Sequence, residues 1–225
     1  IQPNEISVQE ELEKALSTIL RTEIKTTGAG RTDTGVHAKK MFAHFDFDGE
    51  ISEKLVHQLN SFLPPSIAVK KIFEVKEDFH ARFSAKYRTY EYYISLEKNP
   101  FSEKFAWQHW RKSLDVEKMN EACKILFEYE DFGSFAKVGA DNKTNICKIY
   151  HANWEQNGNE LKFTISADRF LRNMVRAIVG TMVEIGSGKL KPADLRNVIE
   201  AKNRGVAGTS APAHALFLVD VGYDF

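Results

Sequence analysis

A hairpin signal in the second half of the chain constrains the fold most. Residues 146–154 and 161–166 carry side chains typical of β-strands, and Asn157-Gly158-Asn159 lies between them. Asparagine and glycine permit the backbone conformation of a tight turn, so the two strands must pair antiparallel. Helical and strand segments alternate elsewhere without a strict strand–helix–strand rhythm. The sequence therefore predicts an α+β fold with a mostly antiparallel sheet flanked by helices.

The other elements are predicted from apolar spacing and terminal signals. Ser7 and Glu10 form a capping-box pattern ahead of the first helix, and Ser52 and Asp115 are candidate caps further on. In the second helix, Leu55, Leu59 and Phe62 are predicted to share one side. The predicted helices are 8–20, one from about 53 to Pro64-Pro65, one following Asp115, 170–185 and one from Pro192 to about 202; the remaining predicted strands are 41–47, 67–75, 87–96 and 216–221.

Composition excludes some classes of protein and leaves others open. The 225 residues allow one large domain or two small ones, and 31 basic against 31 acidic residues give no net charge. No apolar run is long enough to span a bilayer and no signal peptide is visible. Two distant cysteines, Cys123 and Cys147, suggest neither a disulfide framework nor a metal cluster and fit a reducing compartment. The chain starts at Ile1 without methionine, so an initial segment is expected to be missing.

Positive charge is concentrated only locally. Residues 81–112 carry seven Lys or Arg against three Glu, a local balance of +4. This segment is either a basic face for a nucleic acid or an ordinary solvated strand and loop.

The segment Gly28–His37 is the first candidate for chemistry. Three glycines surround Arg31 and Asp33, and a compact turn holding an acid and a base two residues apart suggests a reactive site. Alternatively, Asp33 bonds its own turn and Arg31 is solvated. The segment lacks the ending of a nucleotide-binding P-loop. Asp33-Thr34-Gly35 also matches the short aspartic-protease motif, which would require a symmetric dimer.

Two further segments combine arginine with aromatic or apolar residues. In the predicted strand 87–96, Arg88, Tyr90 and Tyr92 share one face, which suits base stacking or a core with satisfied hydroxyls. In the predicted helix 170–185 and just ahead of it, arginines recur at helical spacing and form either a partnered cationic line or a surface stripe. That line consists of Arg169, Arg172, Asn173 and Arg176. No histidine spacing resembles a zinc site.

At these three segments the chain resembles the tRNA pseudouridine synthase A family. The resemblance runs through nearly the whole length, and its most specific block is Gly30-Arg31-Thr32-Asp33-Thr34-Gly35-Val36-His37. Further matching blocks are Gln2-Pro3-Asn4, Asn60 with Leu63-Pro64, Ala81–Ala85, Arg88-Thr89-Tyr90, Asp131-Phe132 with Ser134-Phe135, Met174–Gly180, and Ala211-Pro212-Ala213 before Leu216-Phe217-Leu218.

The resemblance implies an isomerase that converts uridine to pseudouridine at positions 38, 39 and 40 of the tRNA anticodon arm. Asp33 matches the family's catalytic aspartate. Tyr90 matches the tyrosine that lies against the base, and Arg176 matches the basic residue that forms an ion pair with the catalytic carboxylate. Arg31 matches the arginine that enters the RNA stem. Leu218 is preferred to Leu216 as the match for the apolar residue that packs on uracil. The residues expected to bind RNA are Arg82, Lys86, Arg88 and Arg172.

The resemblance also implies two similar halves, residues 1–100 and 101–225, that meet at an RNA-binding cleft. It implies a cytoplasmic homodimer without metal or organic cofactor. Two departures stand out: the family's first strand, ahead of Gln2, is missing, and Ala215 replaces a frequent glycine. The competing interpretation is an RNA-binding protein that kept the fold without the catalysis.

Overall fold

A computed structural model of the chain describes residues 7–110, 113–140 and 142–225. The Gln2-Pro3-Asn4 block and the basic residues Arg111 and Lys112 lie outside these ranges. The helices are α1 (Val8–Leu20), α2 (Leu55–Phe62), α3 (Val116–Leu126), α4 (Met174–Gly186) and α5 (Asp194–Glu200). The strands are β1 (Thr27–Gly28), β2 (His37–Ala38), β3 (Ala43–His44), β4 (Tyr87–Ser95), β5 (Trp107–Gln108), β6 (Ile149–Asn157), β7 (Glu160–Ala167) and β8 (Leu216–Gly222).

The chain divides into two compact units that interleave along the sequence. The first comprises the chain up to residue 31, residues 42–85 and the last two residues, and the second comprises residues 32–41 and 86–223. Residues 32–41 join the second unit because β2 pairs with β8 there. These units are a different division from the halves 1–100 and 101–225, and the boundary near residue 100 stays a prediction.

In the first unit, α1 and α2 share a small apolar core. The Ser7 hydroxyl accepts a hydrogen bond from the Glu10 amide at 3.2 Å, which confirms the predicted cap of α1. Of the three residues predicted to share one side of α2, Leu55 and Leu59 are buried and Phe62 is 43% exposed, and Leu63 just after the helix is buried with them. The buried residues of this core are Ala15, Leu16, Ile24, Leu55, Leu59 and Leu63.

Two strand predictions in the first unit are wrong in extent. Within 41–47 only β3 pairs, with β1, and residues 67–75 form no strand. The Asn60 side chain instead donates to the Val69 carbonyl at 2.8 Å and accepts from the Val69 amide at 2.7 Å. The Asn60 side-chain amide thus makes the two backbone hydrogen bonds of Val69 that a paired strand would otherwise make. Alternation of apolar residues indicates a strand, but it does not show that another strand is there to pair with it.

The second unit is built on a six-stranded sheet. Its strand order is β2-β8-β4-β7-β6, and β5 also pairs with β4. The long pairs β4–β7, β4–β8 and β6–β7 are antiparallel, whereas the two-residue strands β2 and β5 pair parallel. The β6–β7 turn places Gly158 at φ +58°, where glycine is favoured. The predicted α+β class, mostly antiparallel sheet and hairpin are confirmed.

Helices α3, α4 and α5 contribute with the sheet to one large core. Asp115 caps α3 as predicted, accepting from the Lys118 amide at 3.1 Å. Fully buried side chains such as Tyr92, Phe163 and Ile178 belong to this core, and each contributes about 1.5–3 kcal/mol by leaving water. This core supports the strands and the helix that carry the candidate site.

Cys123 and Cys147 are buried free thiols within the same core. Burial raises the pKa of each to about 12, so neither is a reactive thiolate near neutral pH. Within the described ranges, no helix is both long and apolar enough to cross a bilayer.

Candidate active site

A tight turn after Asp33 lies within the second unit, where its carboxylate meets Arg172 and Arg176. The Val36 amide donates to the Asp33 carbonyl at 3.0 Å, and Gly35 takes φ +84°, a conformation that glycine adopts without strain. The Asp33 side chain is 21% exposed. Its carboxylate contacts two guanidinium groups and does not bond its own turn, so the turn-forming interpretation of this side chain is wrong.

Arg176 is the closer of the two cations. It lies in the first turn of α4, and its Nη1 donates to Asp33 Oδ2 at 3.1 Å. Its Nε donates to the Ala211 carbonyl at 2.7 Å, and the Ala211 amide donates back to the Arg176 carbonyl at 3.0 Å. Because the guanidinium is planar, a second fixed donor orients the first. The arginine is therefore held in place before any ligand arrives.

Arg172 reaches the same carboxylate from outside the helix. Its Nε lies 3.6 Å from Asp33 Oδ1, and its side chain is 53% exposed. The helix predicted from residue 170 begins only at Met174, so the expected helical stripe through Arg169, Arg172 and Asn173 is wrong. Asn173 adopts φ +68°, which a right-handed helix excludes. Arg172 was expected only as an RNA contact, and its proximity to Asp33 depends on this non-helical turn.

The loop that carries Ala211 is clamped against α4. A Cβ on Gly180 would lie 1.8 Å from the Thr209 carbonyl oxygen, so only glycine permits this approach. Thr181 Oγ1 accepts from the Gly208 amide at 2.9 Å. The sequence indicated merely a loop at 205–215, and nothing in its local pattern revealed that it positions Arg176.

Tyr90 and Leu218 form a cross-strand pair next to this site. They lie directly opposite each other on β4 and β8, so their side chains share one face of the sheet. Leu218 is buried, Tyr90 is half-buried, and Phe170 meets the Tyr90 ring edge-on at 5.2 Å. A β-bulge in β8 just after Leu218 shifts the register with β4, so the pattern of side chains that point to each face of the sheet changes there.

Burial raises the pKa of the Tyr90 hydroxyl to about 12; nearby Arg88 opposes the shift, and the charge of Asp33 adds to it. Tyr90 and Asp33 are therefore close enough to interact electrostatically. Among the described residues, the Tyr90 hydroxyl has no hydrogen-bond partner. It is a neutral donor available to a ligand.

The other candidate RNA contacts are distributed over both units. Arg31 and Arg82 belong to the first unit, and both are exposed. Lys86 and Arg88 belong to the second, where Lys86 is exposed and Arg88 Nη1 donates to the Asp168 carbonyl at 2.9 Å. Contacts in the structure thus join Asp33 to Arg172 and Arg176, and Tyr90 to Leu218.

Within the described part of the chain, no three His, Cys, Asp or Glu side chains are grouped so that they could hold a metal ion. The groups that can act at the site are a carboxylate, two guanidiniums and a phenol. They can stabilise charge, donate hydrogen bonds and react covalently through the carboxylate.

Comparison with known proteins identifies the class to which this fold and site belong. Residues 122–224 match the family model of tRNA pseudouridine synthase. That stretch contains α4 with Arg176 and the strands β6, β7 and β8. The fold is that of an isomerase of the pseudouridine synthase class.

Relatives extend this match to nearly the whole chain. The protein named tRNA pseudouridine synthase A of Parabacteroides distasonis is 55% identical over 225 residues, covering 99% of this chain and 89% of that protein. Its namesake in Bacteroides fragilis is 56% identical, with coverage of 99% and 89%. The one in Bacillus subtilis is 39% identical, with coverage of 100% and 92%. The chain belongs to the tRNA pseudouridine synthase A family, and the resemblance found in its motifs is confirmed.

Proposed function

We propose that this chain isomerises uridine to pseudouridine in tRNA, at positions 38, 39 and 40 of the anticodon arm. The observation that carries the proposal is the Asp33 carboxylate, held by Arg176 at 3.1 Å and approached by Arg172 at 3.6 Å. The names of the relatives support the reaction and the tRNA substrate. They support catalysis over the alternative of a non-catalytic RNA-binding protein. The resemblance of the motifs supports the positions.

The reaction exchanges one bond for another within a single nucleoside. The bond from the glycosidic nitrogen of uracil to the ribose carbon breaks, the base turns, and a carbon–carbon bond forms to the same ribose. Carbon 5 of uracil loses its hydrogen as a proton to water and the freed nitrogen takes up one proton, so atoms and electrons balance without a co-reactant. We assign Asp33 as the catalytic carboxylate, and its partial exposure lets it reach a nucleoside.

Arg176 positions that carboxylate and balances its charge. Because its Nε is occupied by the Ala211 carbonyl, only its terminal nitrogens are directed at Asp33. Preorganised charge of this kind stabilises a reaction without rearrangement at the moment of bond cleavage. Arg172 is more exposed, so its remaining donors can also contact an RNA phosphate.

Tyr90 and Leu218 form the surface on which the uracil rests. A flat phenol ring beside a leucine offers a dry contact for a planar base. The raised pKa of Tyr90 keeps its hydroxyl protonated, so it can donate a hydrogen bond to the base. The position of Leu218 opposite Tyr90 supports it over Leu216, which lies opposite the fully buried Tyr92.

A paired uridine must leave the helix before this chemistry can occur, at a cost of a few kcal/mol. We assign Arg31 to the space left by the flipped base. Arg82, Lys86, Arg88 and Arg172 are proposed as contacts to the RNA backbone. Exposed arginine and lysine suit this role because phosphate contacts supply most of the affinity for a nucleic acid.

The family resemblance supports a cytoplasmic homodimer that needs neither metal nor organic cofactor. Sedimentation at micromolar concentration would reveal a dimer as about twice the monomer mass of 25.6 kDa. Exhaustive dialysis against EDTA is expected to leave the rate of isomerisation unchanged. A loss of activity that added metal restores would contradict the cofactor-free reaction.

The direct test is release of tritium from tRNA that carries [5-³H]uracil. Asp33→Asn keeps the size of the side chain, removes its charge, and should lower the rate at least about a thousandfold. Asp115→Asn is the matched control, because asparagine also caps a helix well and Asp115 caps α3. If Asp33→Asn retains the wild-type rate, Asp33 is not the catalytic group; if wild type releases no tritium from any tRNA, the proposed function fails.

A further inference from the structure

One pocket of the second unit has no part in the chemistry assigned above. It is a cavity of about 360 Å³ between the turn at 133–140 and the chain that follows α5. Three cationic side chains line it, from Lys137, Lys202 and Arg204. Three amide side chains complete its polar wall, from Asn142, Asn145 and Asn203. We propose that this pocket binds a backbone phosphate of the tRNA, a few nucleotides from the reacting uridine; the proposal rests on the proposed function.

The charge of the pocket favours an anion. Lys137 is exposed and forms no ion pair within the described ranges. Lys202 pairs with Asp131 at 2.8 Å, outside the set of lining residues. Arg204 donates to the Ala207 carbonyl at 3.3 Å and the Ser210 hydroxyl at 2.8 Å. Its partners there are neutral, so its positive charge is not cancelled by them. A phosphate oxygen is the acceptor that such a set of donors prefers.

The amide side chains add neutral donors to the same wall. The Asn145 side-chain nitrogen lies close to Gly133: a Cβ added to this glycine would be 3.0 Å from it. Within the described residues, the side chains of Asn142 and Asn145 have no hydrogen-bond partners. They can therefore serve a ligand without losing an internal bond.

Hydrogen bonds of Ser134 connect the two chain segments that line the pocket. Ser134 is fully buried, and its hydroxyl accepts from the Asn203 amide at 3.0 Å and donates to the Ile199 carbonyl at 3.3 Å. This side chain joins the turn after residue 132 to the end of α5. Lys202, which also lines the pocket, takes φ +46°, a conformation uncommon for lysine.

Two hydrogen-bonded connections link the pocket to the Asp33 site. The Lys137 amide donates to the Arg172 carbonyl at 2.9 Å, and Arg172 itself approaches Asp33. Ser210, which accepts from Arg204, also accepts from Asn173 at 2.6 Å. The first path is short enough to limit the distance from the Lys137 amide to the carboxylate to roughly 15 Å, from standard bond lengths. Neighbouring nucleotides of one RNA strand span such a distance.

The test removes one charge from the pocket and measures binding of tRNA over a range of salt concentrations. Lys137→Gln keeps the backbone amide that holds Arg172. It should weaken tRNA binding about three- to tenfold and reduce the slope of log K against log [salt] by roughly 0.7–0.9, the share of one phosphate contact. KM should rise by the same factor with kcat unchanged. Lys137→Arg should restore the wild-type values. Lys124→Gln, on α3 and not among the residues that line this pocket, should show none of these changes.

A second arm identifies the source of the phosphate. Titration with inorganic phosphate tests whether the free ion binds in the pocket. If phosphate binds in a Lys137-dependent way while the tRNA slope of Lys137→Gln equals that of wild type, the assignment to RNA is overturned. An unchanged slope and KM without phosphate binding overturns the site altogether. The slope is measured by binding alone, so these outcomes are distinct from a failure of the isomerase activity.

Discussion

The glycine at position 180 connects the packing of the protein to its proposed chemistry. Replacing it with alanine adds a Cβ that would lie 1.8 Å from the Thr209 carbonyl oxygen. Real Cβ atoms essentially never come within 3.0 Å of another atom, so the loop or the helix must move by about 1.2 Å. The atom in the way is backbone and cannot rotate aside. Ala211 lies two residues further along this loop and holds the Arg176 guanidinium.

The expected cost follows from two opposing effects. Overpacking a tight contact destabilises by about 1–3 kcal/mol, whereas alanine improves on glycine in a helix by about 1 kcal/mol. A net loss of up to about 2 kcal/mol would lower Tm by about 4–8 °C for a chain of this size. A displacement of about 1 Å at a positioning residue costs about a hundredfold in rate. Gly180→Ala should therefore lose far more activity than stability.

Thermal unfolding and single-turnover tritium release measure the two quantities on the same preparation. Gly186→Ala is the matched control, because it makes the same substitution in the same helix. There the added Cβ would meet the Met119 sulfur at 2.6 Å, and a flexible thioether can give way. Gly186→Ala should keep its rate. If Gly180→Ala keeps the wild-type rate and Tm, the clamp does not position Arg176.

Three further outcomes are expected. Arg176→Lys should lower kcat about tenfold or more while leaving Tm within a few degrees. The reason is that an ammonium group lacks the planar set of donors with which the guanidinium binds the Ala211 carbonyl and the Asp33 carboxylate together. Equal kcat values for Lys and Arg would show that charge alone suffices. Raising the pH from 10 to about 12 should lower the free energy of unfolding, because the pKa of Tyr90 is about 12 in the folded state against 10.0 in the unfolded state. The contribution of Tyr90 is fully present below pH 10 and is lost above it, since the unfolded chain ionises first. Tyr90→Phe should weaken this pH dependence in urea titrations, and an identical dependence in the variant would contradict the shift. Thr181→Val should lower the free energy of unfolding by about 1–3 kcal/mol, because it leaves the buried Gly208 amide without an acceptor; Thr181→Ser, which keeps the hydroxyl, should recover most of it.

Several elements of the fold follow from local sequence. The β6–β7 hairpin depends on Asn157-Gly158-Asn159, and Gly158 takes the positive φ that such a turn needs. The caps by Ser7 and Asp115 also form as predicted. These features involve residues within a few positions of each other, so their geometry depends little on the rest of the molecule.

The resemblance predicted the ion pair between Arg176 and Asp33, but not the further contacts that Arg172 and Ala211 make around it. Asp33 and Arg176 were identified from motifs, and the structure places them 3.1 Å apart. The start of α4 was not predictable, because helical spacing of the arginines continues through Asn173 while its backbone is left-handed. Residues 67–75 show the same limit, since alternation does not specify a partner strand.

The sequence by itself determined the class of fold, the β6–β7 hairpin, the caps by Ser7 and Asp115, and the family. Tertiary structure alone decided that Arg172 turns toward Asp33, that Ala211 holds Arg176, and that a basic pocket lies behind Lys137. The physical reason is the range of the interactions involved. Propensity, turns and caps act between near neighbours in the chain. The contacts between Asp33 and its arginines join segments more than a hundred residues apart, and the hold of Ala211 on Arg176 depends on close packing of backbone on backbone at Gly180.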